Sequence, residues 1–330
     1  MMSRFWNLVA FGAFITGALG QTAVTPPQPP LPDTIGPATK AILQPLLAAP
    51  PVPPAPPPTI EQRRAFSDGY QENFSKQQLQ QYAVTISEET IAGVPVRVFT
   101  PKDLPQANAT RVLVNLHGGG FEIDSGSLTE NIPIAALAKM KVVSVLYRMA
   151  PEHPFPAAVD DVVAVYRELL KTYRPAHIGL YGTSAGAILS AETVVRLRRE
   201  KLPLPAAVGF FSGSADIATR GDSEQYLPSL DDKGVAALLS DYVGKTDPKD
   251  PLVSPLFADL KGFPPTLCVT STRDILLSQT ALFHRALLRA GVDADLVVFE
   301  ALPHAFWAWL PLPESREANE IMARYFERHL

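Results

Sequence analysis

Residues Ile178–Glu200, "IGLYGTSAGAILSAETVVRLRRE", pass from an apolar run to an amphipathic one through the small residues Gly182-Thr183-Ser184-Ala185-Gly186. The run before the turn is continuously apolar rather than alternating, the pattern of a strand covered on both faces. The run after it has helical spacing. A G-x-S-x-G pattern at a strand–turn–helix junction is the setting of a nucleophile elbow. There the serine adopts a strained backbone conformation, and glycines two residues away relieve the crowding. By composition alone the pattern arises in about one chain in ten of this length, so its context gives it weight. A small-residue turn with Ser184 as helix N-cap is the plainer alternative.

Outward from this junction the chain alternates β-type runs with longer helical ones. "AVTISE" and "VPVRVFT" flank a turn at Ala92-Gly93 and read as an opening hairpin. "RVLVNL", "KVVSVLY", "HIGLYG", "AAVGFF", "TLCVTS" and "DLVVF" follow, mostly rich in Val, Leu and Ile. Between them lie amphipathic stretches such as "PAAVDDVVAVYRELLKTY", with a proline at its start, and "SQTALFHRALLRAGV", which stops at Gly291. Strand and helix in alternation predict an α/β fold with a largely parallel sheet and right-handed crossovers. Two stretches break the alternation, Thr59–Gln81 and about Ser214–Val243. Both read as helical and are expected to form a small cap over one end of the sheet. In the first, Phe66, Tyr70 and Phe74 recur at helical spacing and predict an apolar face resting on the open end of the sheet above Ser184. With Tyr82 they pack the cap against the sheet or, as the alternative, line the pocket. Such a lid would limit the acyl chain that fits.

Three glycines in "VNLHGGGFEIDSGS", Val114–Ser127, stand at the end of an earlier apolar run. Glycine is costly to order, so a run of it implies a close approach to bare backbone. If Ser184 attacks a carbonyl, the oxygen becomes negative and needs donors already aimed at it. Gly119 and Gly120, with Ala185 at the helix start, are the expected donors. The serine also needs a base, and the base an orienting acid. Of six histidines, His304 in "FEALPHAFW" follows the last strand, where a loop can reach the serine. His117 reads as an anchor of the glycine loop. Asp274 ends "LCVTSTRD", and Ser184, Asp274 and His304 then fall in the order Ser…Asp…His. Glu300 is the reserve acid.

The body, from about residue 82 to 310, resembles the hormone-sensitive lipase family of α/β-hydrolases, the bacterial family IV esterases. The resemblance is carried by "HGGGF" (117–121), "YRMAPEHPFPAAVDD" (147–161), "GTSAG" (182–186), "DPKDPLVSPLFADL" (247–260), "TRDILLS" (272–278) and "LPHAFW" (302–307). It implies an α/β-hydrolase fold with an eight-stranded, mostly parallel sheet flanked by helices and a helical cap. It also implies a Ser184–Asp274–His304 triad with Gly119, Gly120 and Ala185 as the oxyanion hole. The implied activity is that of a serine carboxylesterase hydrolysing short-chain acyl esters through an acyl-enzyme. An amide, lactone or polymer ester as substrate, or a non-catalytic ligand receptor on the same fold, are the alternatives. Thr183 replaces the frequent aspartate before the serine, and Met149 stands where leucine is usual. Glu152, Asp160 and Asp161 match the family and read as structural.

The chain of 330 residues carries a net charge of −4, with no long basic run, so nucleic acid has no electrostatic attraction to it. Gly244-Lys245-Thr246 mimics the end of a phosphate loop, but Leu239 stands where the upstream glycine belongs. Neither a cofactor nor a metal site is expected; the single cysteine, Cys268, lies in an apolar run and reads as core. A small-molecule ester is the expected partner, bound by a monomer or a homodimer. Residues 1–20 have a positive start at Arg4, a short apolar core and small residues before Gln21, the pattern of a signal peptide. Secretion or periplasmic export is the expectation, with an uncleaved N-terminal anchor as the alternative and no stable span after cleavage. Residues 21–58 are rich in proline and predict an extended tether, with the composition of a helical turn at Lys40–Ala49. The hydrolase domain is then 59–330.

Overall fold

A computed structural model of the protein describes residues 30–47, 58–226 and 239–330. The expected signal peptide lies outside the described residues, as do parts of the tether and of the second cap stretch.

The alternating runs form an eight-stranded sheet in the order β1-β2-β4-β3-β5-β6-β7-β8. β1 (Val84–Ile91) and β2 (Val94–Pro101) are the predicted hairpin, antiparallel across a turn whose residues Ala92 and Gly93 both have positive φ. β2 also runs antiparallel to β4 (Lys141–Val145). The rest is parallel: β3 (Val112–Leu116), β5 (Ile178–Thr183), β6 (Ala207–Phe211), β7 (Thr266–Arg273) and β8 (Ala294–Pro303). Every residue of β3, β5 and β6 is buried, which is why these runs are continuously apolar.

Helices cover both faces. One apolar cluster lies beneath α4 (Ala157–Leu169), α5 (Ala185–Arg199) and α6 (Leu277–Arg289). The other lies beneath α1 (Pro37–Leu47), α3 (Asn131–Ala138) and α7 (Pro313–His329). The chain leaves β3 toward α3 on one face and leaves β5 toward α5 on the other. β3 and β5 are neighbours, so their carboxyl ends border a crevice at a switch in strand order, where open α/β sheets bind ligands. The glycine run follows β3 and Ser184 follows β5.

α2 (Ile60–Gln81) is the first cap stretch, opened by a capping box between Thr59 and Gln62. Its orientation differs from the expectation of an apolar face over the site. The buried positions are Ser67, Gln71, Ser75 and Gln78, a polar stripe at helical spacing. Phe66 and Tyr70 instead flank the second cluster, and the Tyr70 hydroxyl donates to the Trp309 carbonyl. The second stretch is described at 214–226 and 239–243. Among the described residues it is helical only at Ser223–Tyr226 and near 239–243; Ser214–Arg220 is a loop organised by the Asp216 carboxylate, which accepts from the Ala218 N–H at 2.8 Å.

The proline-rich stretch is not a tether throughout. Residues 30–47 dock on the body through a turn and α1. Ile35, Thr39 and Leu43 are buried there, Thr39 donates to Glu314 at 2.6 Å, and Arg273 donates to the Pro30 carbonyl at 2.9 Å.

Candidate active site

Ser184 sits between β5 and α5 with φ 58° and ψ −121°, the strained conformation expected of an elbow. The turn is compact because its glycines are. A methyl at Gly186 would strike the carbonyls of Leu116 and His117, and one at Gly182 would strike the backbone of Gly186. No larger residue lets α5 come this close to the end of β3.

The Ser184 hydroxyl lies 3.0 Å from His304 Nε2, and His304 Nδ1 lies 2.6 Å from Asp274 Oδ1. A shift in the β7–β8 register between Ser271 and Arg273 turns the chain just before Asp274. Asp274 is fully buried. It accepts from the Ser212 hydroxyl, from Thr270 at 2.9 Å and from the Leu276 N–H at 2.9 Å. Burial alone would raise its pKa. The adjacent His304 and these donors outweigh burial and hold the carboxyl below its ordinary value, so it is ionised and fixes Nδ1 as the protonated nitrogen. Nε2 is then free to accept the serine proton. Glu300, the reserve acid, is exposed on the far side and takes a hydrogen bond from Thr34 at 2.5 Å; its position in the strand turns it away from the imidazole.

The expected oxyanion donors lie on the same cavity. Gly119 has φ +115° and Gly120 φ +63°, conformations that favour glycine, and a methyl at Gly119 would collide with Ile123. Among the described residues the N–H groups of Gly119, Gly120 and Ala185 are not committed to other partners, and all three residues line the cavity with Ser184 and His304. His117 anchors the loop as expected. Its Nδ1 lies 2.9 Å from the Gly118 carbonyl, its ring stacks on Tyr147 at 4.1 Å, and its own carbonyl accepts from the Tyr147 hydroxyl at 2.7 Å. Phe121 stacks on Tyr242 at 3.5 Å, and Tyr242 donates to the buried Glu192 at 2.5 Å.

The buried polar stripe of α2 meets this loop. Gln71 donates to the Asp124 carbonyl at 2.9 Å and accepts from the Leu128 N–H at 3.0 Å; Ser67 donates to the same Asp124 carbonyl at 2.5 Å. Gln78 donates to the Thr129 carbonyl at 2.9 Å, and Arg63 to the Glu122 carboxylate at 2.6 Å. Arg64 reaches the Glu122 carbonyl at 2.8 Å and grips Glu152 through both terminal nitrogens. The loop's irregular backbone groups lack strand partners, and α2 supplies them. Asp161 braces Arg148 at 2.8 Å, and Asp160 pairs with Arg196 at 3.2 Å, both structural as their sequence context implies.

Sequence reasoning missed Ser212, Thr270, Gln71 and Glu130. One signal for Glu130 was present: Thr183 removes the carboxyl that the family commonly carries before the serine, and Glu130 places one beside it. Among the described residues no group of His, Cys, Asp and Glu could hold a metal ion, and no helix is long and apolar enough to cross a membrane.

Residues 113–308 match a family described as alpha/beta hydrolase fold. An acetyl-hydrolase from Streptomyces hygroscopicus is 36% identical over 232 residues, 67% of this chain and 77% of that protein. The crystal structure of an esterase, E25, superposes with a TM-score of 0.80 at 35% identity, covering 94% of this chain and 99% of its own. An esterase of the bacterial hormone-sensitive lipase family superposes with a TM-score of 0.73 at 31% identity, covering 83% and 93%. With this fold and these relatives, the chain belongs to the hormone-sensitive lipase family of α/β-hydrolases and is a carboxylic ester hydrolase.

Proposed function

We propose that the enzyme is a serine carboxylesterase that cleaves short-chain acyl esters through an acyl-enzyme on Ser184. The observation that carries this reading is the unbroken line from Ser184 through His304 to Asp274, opening on a cavity bordered by Gly119, Gly120 and Ala185. The serine oxygen attacks the ester carbonyl carbon as its proton passes to His304 Nε2. The carbonyl oxygen becomes negative and accepts from the three N–H groups. Collapse breaks the bond to the alcohol, which leaves with the proton from Nε2. Water then attacks the acyl carbon, again giving its proton to Nε2, and the acid departs as Ser184 recovers its proton.

Phe121, Ile123, Ile188, Leu239 and Trp309 give the cavity bulky apolar walls, which supports a small acyl group. The name of the Streptomyces relative, an acetyl-hydrolase, points the same way. The leader-like residues 1–20 support export to the periplasm or medium; a mature N-terminus at Gln21 is the expected result of mass spectrometry. The decisive test of the chemistry is a series of p-nitrophenyl esters from acetate to palmitate. A burst of one nitrophenolate per chain is expected, with kcat/KM highest at two to four acyl carbons. Activity that persists undiminished in Ser184→Ala, or that peaks on long chains, overturns the corresponding part.

A further inference from the structure

One buried acid lines the cavity and has no part in the triad. Glu130, at the start of α3, is 3% exposed and borders the cavity beside Ser125 and Thr183. Its partners are neutral. Thr183 donates to it, and Asn115 Nδ2 lies 3.4 Å from Oε2. The network continues from there. Asn115 Oδ1 accepts from Ser144 at 2.8 Å and from Asn131 at 3.0 Å, and Asn131 takes the Tyr181 hydroxyl at 2.5 Å. Trp307, three residues after His304, points its indole N–H at Thr183 Oγ1 at 3.3 Å. The carboxyl thus joins the end of β3, which carries the oxyanion loop, to the residue before Ser184 and to the loop carrying His304. Gly126 makes room for it, since a methyl there would collide with the carboxyl.

We propose that Glu130 is a positioning residue for ester hydrolysis, one that works as an uncharged acid and impairs turnover when it ionises. The inference rests on the serine-esterase reading. Among the described residues no cation pairs with Glu130, and the nearby charge is that of Asp124, of the same sign. Asp124 is itself held by Arg97 at 3.0 Å and faces His117 at 3.8 Å, so both of these groups are turned to Asp124. Across the cavity stand Arg63 on α2, tied to Glu122; His304, tied to Asp274; and Asp216, Arg220 and Glu224. From β3, β4, β5 and the turn at Phe306–Trp309 only Asn115, Ser144, Thr183, Tyr181 and Trp307 join the network, and none carries charge at neutral pH. Burial, against the weaker pull of the Thr183 and Asn115 donors, pushes the carboxyl up to about 8. Below that pH the neutral acid accepts from both donors and leaves the side of the cavity behind the elbow uncharged. Above it, a negative charge stands behind the elbow, opposing the negative oxygen that forms in the transition state.

The test is the pH profile of kcat/KM on p-nitrophenyl butyrate, corrected for spontaneous hydrolysis. The wild type should fall by about five- to tenfold from pH 7 to pH 9, with its midpoint near 8. Glu130→Gln keeps the shape, the acceptor and the neutrality, so it should stay within about threefold of wild type at pH 7 and lose the alkaline fall. A role in packing alone would lower activity at every pH and leave the limb in place. The same alkaline midpoint in both proteins overturns the proposal; so does a loss beyond about a hundredfold at pH 7 in a folded Gln variant, because the carboxylate would then be the working form. Thr183→Val supplies an independent check that does not depend on the Gln variant folding. Losing a donor to the carboxylate should shift the limb to higher pH, and an unmoved limb overturns the proposal. Ser184→Ala separates the two claims. If it is inactive while the limb is indifferent to Glu130, the esterase reading stands and this inference falls; if it is active, both fall.

Discussion

Ser184 on one side, and Asp274 with His304 on the other, rest on two different kinds of information. The elbow serine was legible because a strained backbone demands glycines at fixed offsets. Asp274 and His304 were legible because strand ends are where a parallel sheet presents side chains. The reserve acid Glu300 was a fair competitor until the register of β8 placed it outside, against Thr34. That register cannot be read from a run in which both faces are apolar. Ser184→Ala should fold normally and lose about 10⁴-fold or more in kcat, as triad knockouts do. Asp274→Asn should lose about 10²–10⁴-fold, since the amide no longer fixes the imidazole tautomer. Glu300→Gln should stay within twofold in the same assay. A greater loss in Glu300→Gln than in Asp274→Asn would return the acid to position 300. Thr183 signalled a missing carboxyl but not what replaces it: an acid at a helix start such as Glu130 reads as a solvated dipole partner, and only the fold reveals that this one is buried.

At the scale of the element, α2 is the instructive case. Its helical character was legible from the spacing of its residues, and its aromatic side chains left two partners open, the pocket and the body. An apolar stripe seeks apolar surface, and the second cluster supplies it. What meets the glycine loop is Ser67, Gln71 and Gln78, which hold its backbone at Asp124, Leu128 and Thr129. The consequence is catalytic. Gln71 holds both the Asp124 carbonyl and the Leu128 N–H, so Gln71→Leu leaves the Leu128 N–H unpaired and the Asp124 carbonyl held by Ser67 alone, and frees the donors to drift. A misplacement of about 1 Å can cost roughly a hundredfold in rate. The variant should therefore lose about 10–100-fold in kcat with little change in KM. Because the oxyanion forms whatever the acyl length, acetate and butyrate esters should suffer alike. Steady-state kinetics on the two esters checks this. A loss confined to butyrate would mean that α2 acts as an acyl lid, as its aromatic spacing first implied. Asp124 adds a pH signature. Burial opposes its ionisation, but His117, the Ser127 hydroxyl and N–H, and Arg97 outweigh that and hold it at about 2. Its folded value is depressed, so its stabilisation of the loop is present above the unfolded value near 3.8 and is lost as pH falls from there toward 2.

At the scale of the whole molecule, the eight strands and the helices between them follow from runs visible in the sequence, whereas the strand order and the docking of the amino-terminal extension do not. Proline-rich composition predicts an extended spacer because it lacks backbone donors and periodic apolar residues. Within it, however, Ile35, Thr39 and Leu43 fall on one side of a turn and a helix, and the body offers a matching surface near β8 and α7. Burying two aliphatic side chains is worth about 1.5–3 kcal/mol each. The hydrogen bonds from Thr39 to Glu314 and from Arg273 to the Pro30 carbonyl add to that burial, and the ordering of the docked residues opposes it. The extension should therefore matter for stability and not for chemistry. Its links to the catalytic machinery are indirect: Arg273 precedes Asp274 and donates to the Pro30 carbonyl, while Asp274 keeps its own hydrogen bonds from Ser212, Thr270 and Leu276. A chain beginning at residue 30 should melt where the full-length protein does. A chain beginning at residue 48, which keeps the Thr59 cap of α2, should melt roughly 3–8 °C lower. Both should keep kcat/KM at 25 °C within about threefold of full length, because none of the described residues removed lines the cavity. Equal melting of the two truncated chains would show that the docked helix contributes no stability, and a tenfold loss of kcat/KM in the shorter one would show that the docked segment holds Asp274 in place through Arg273.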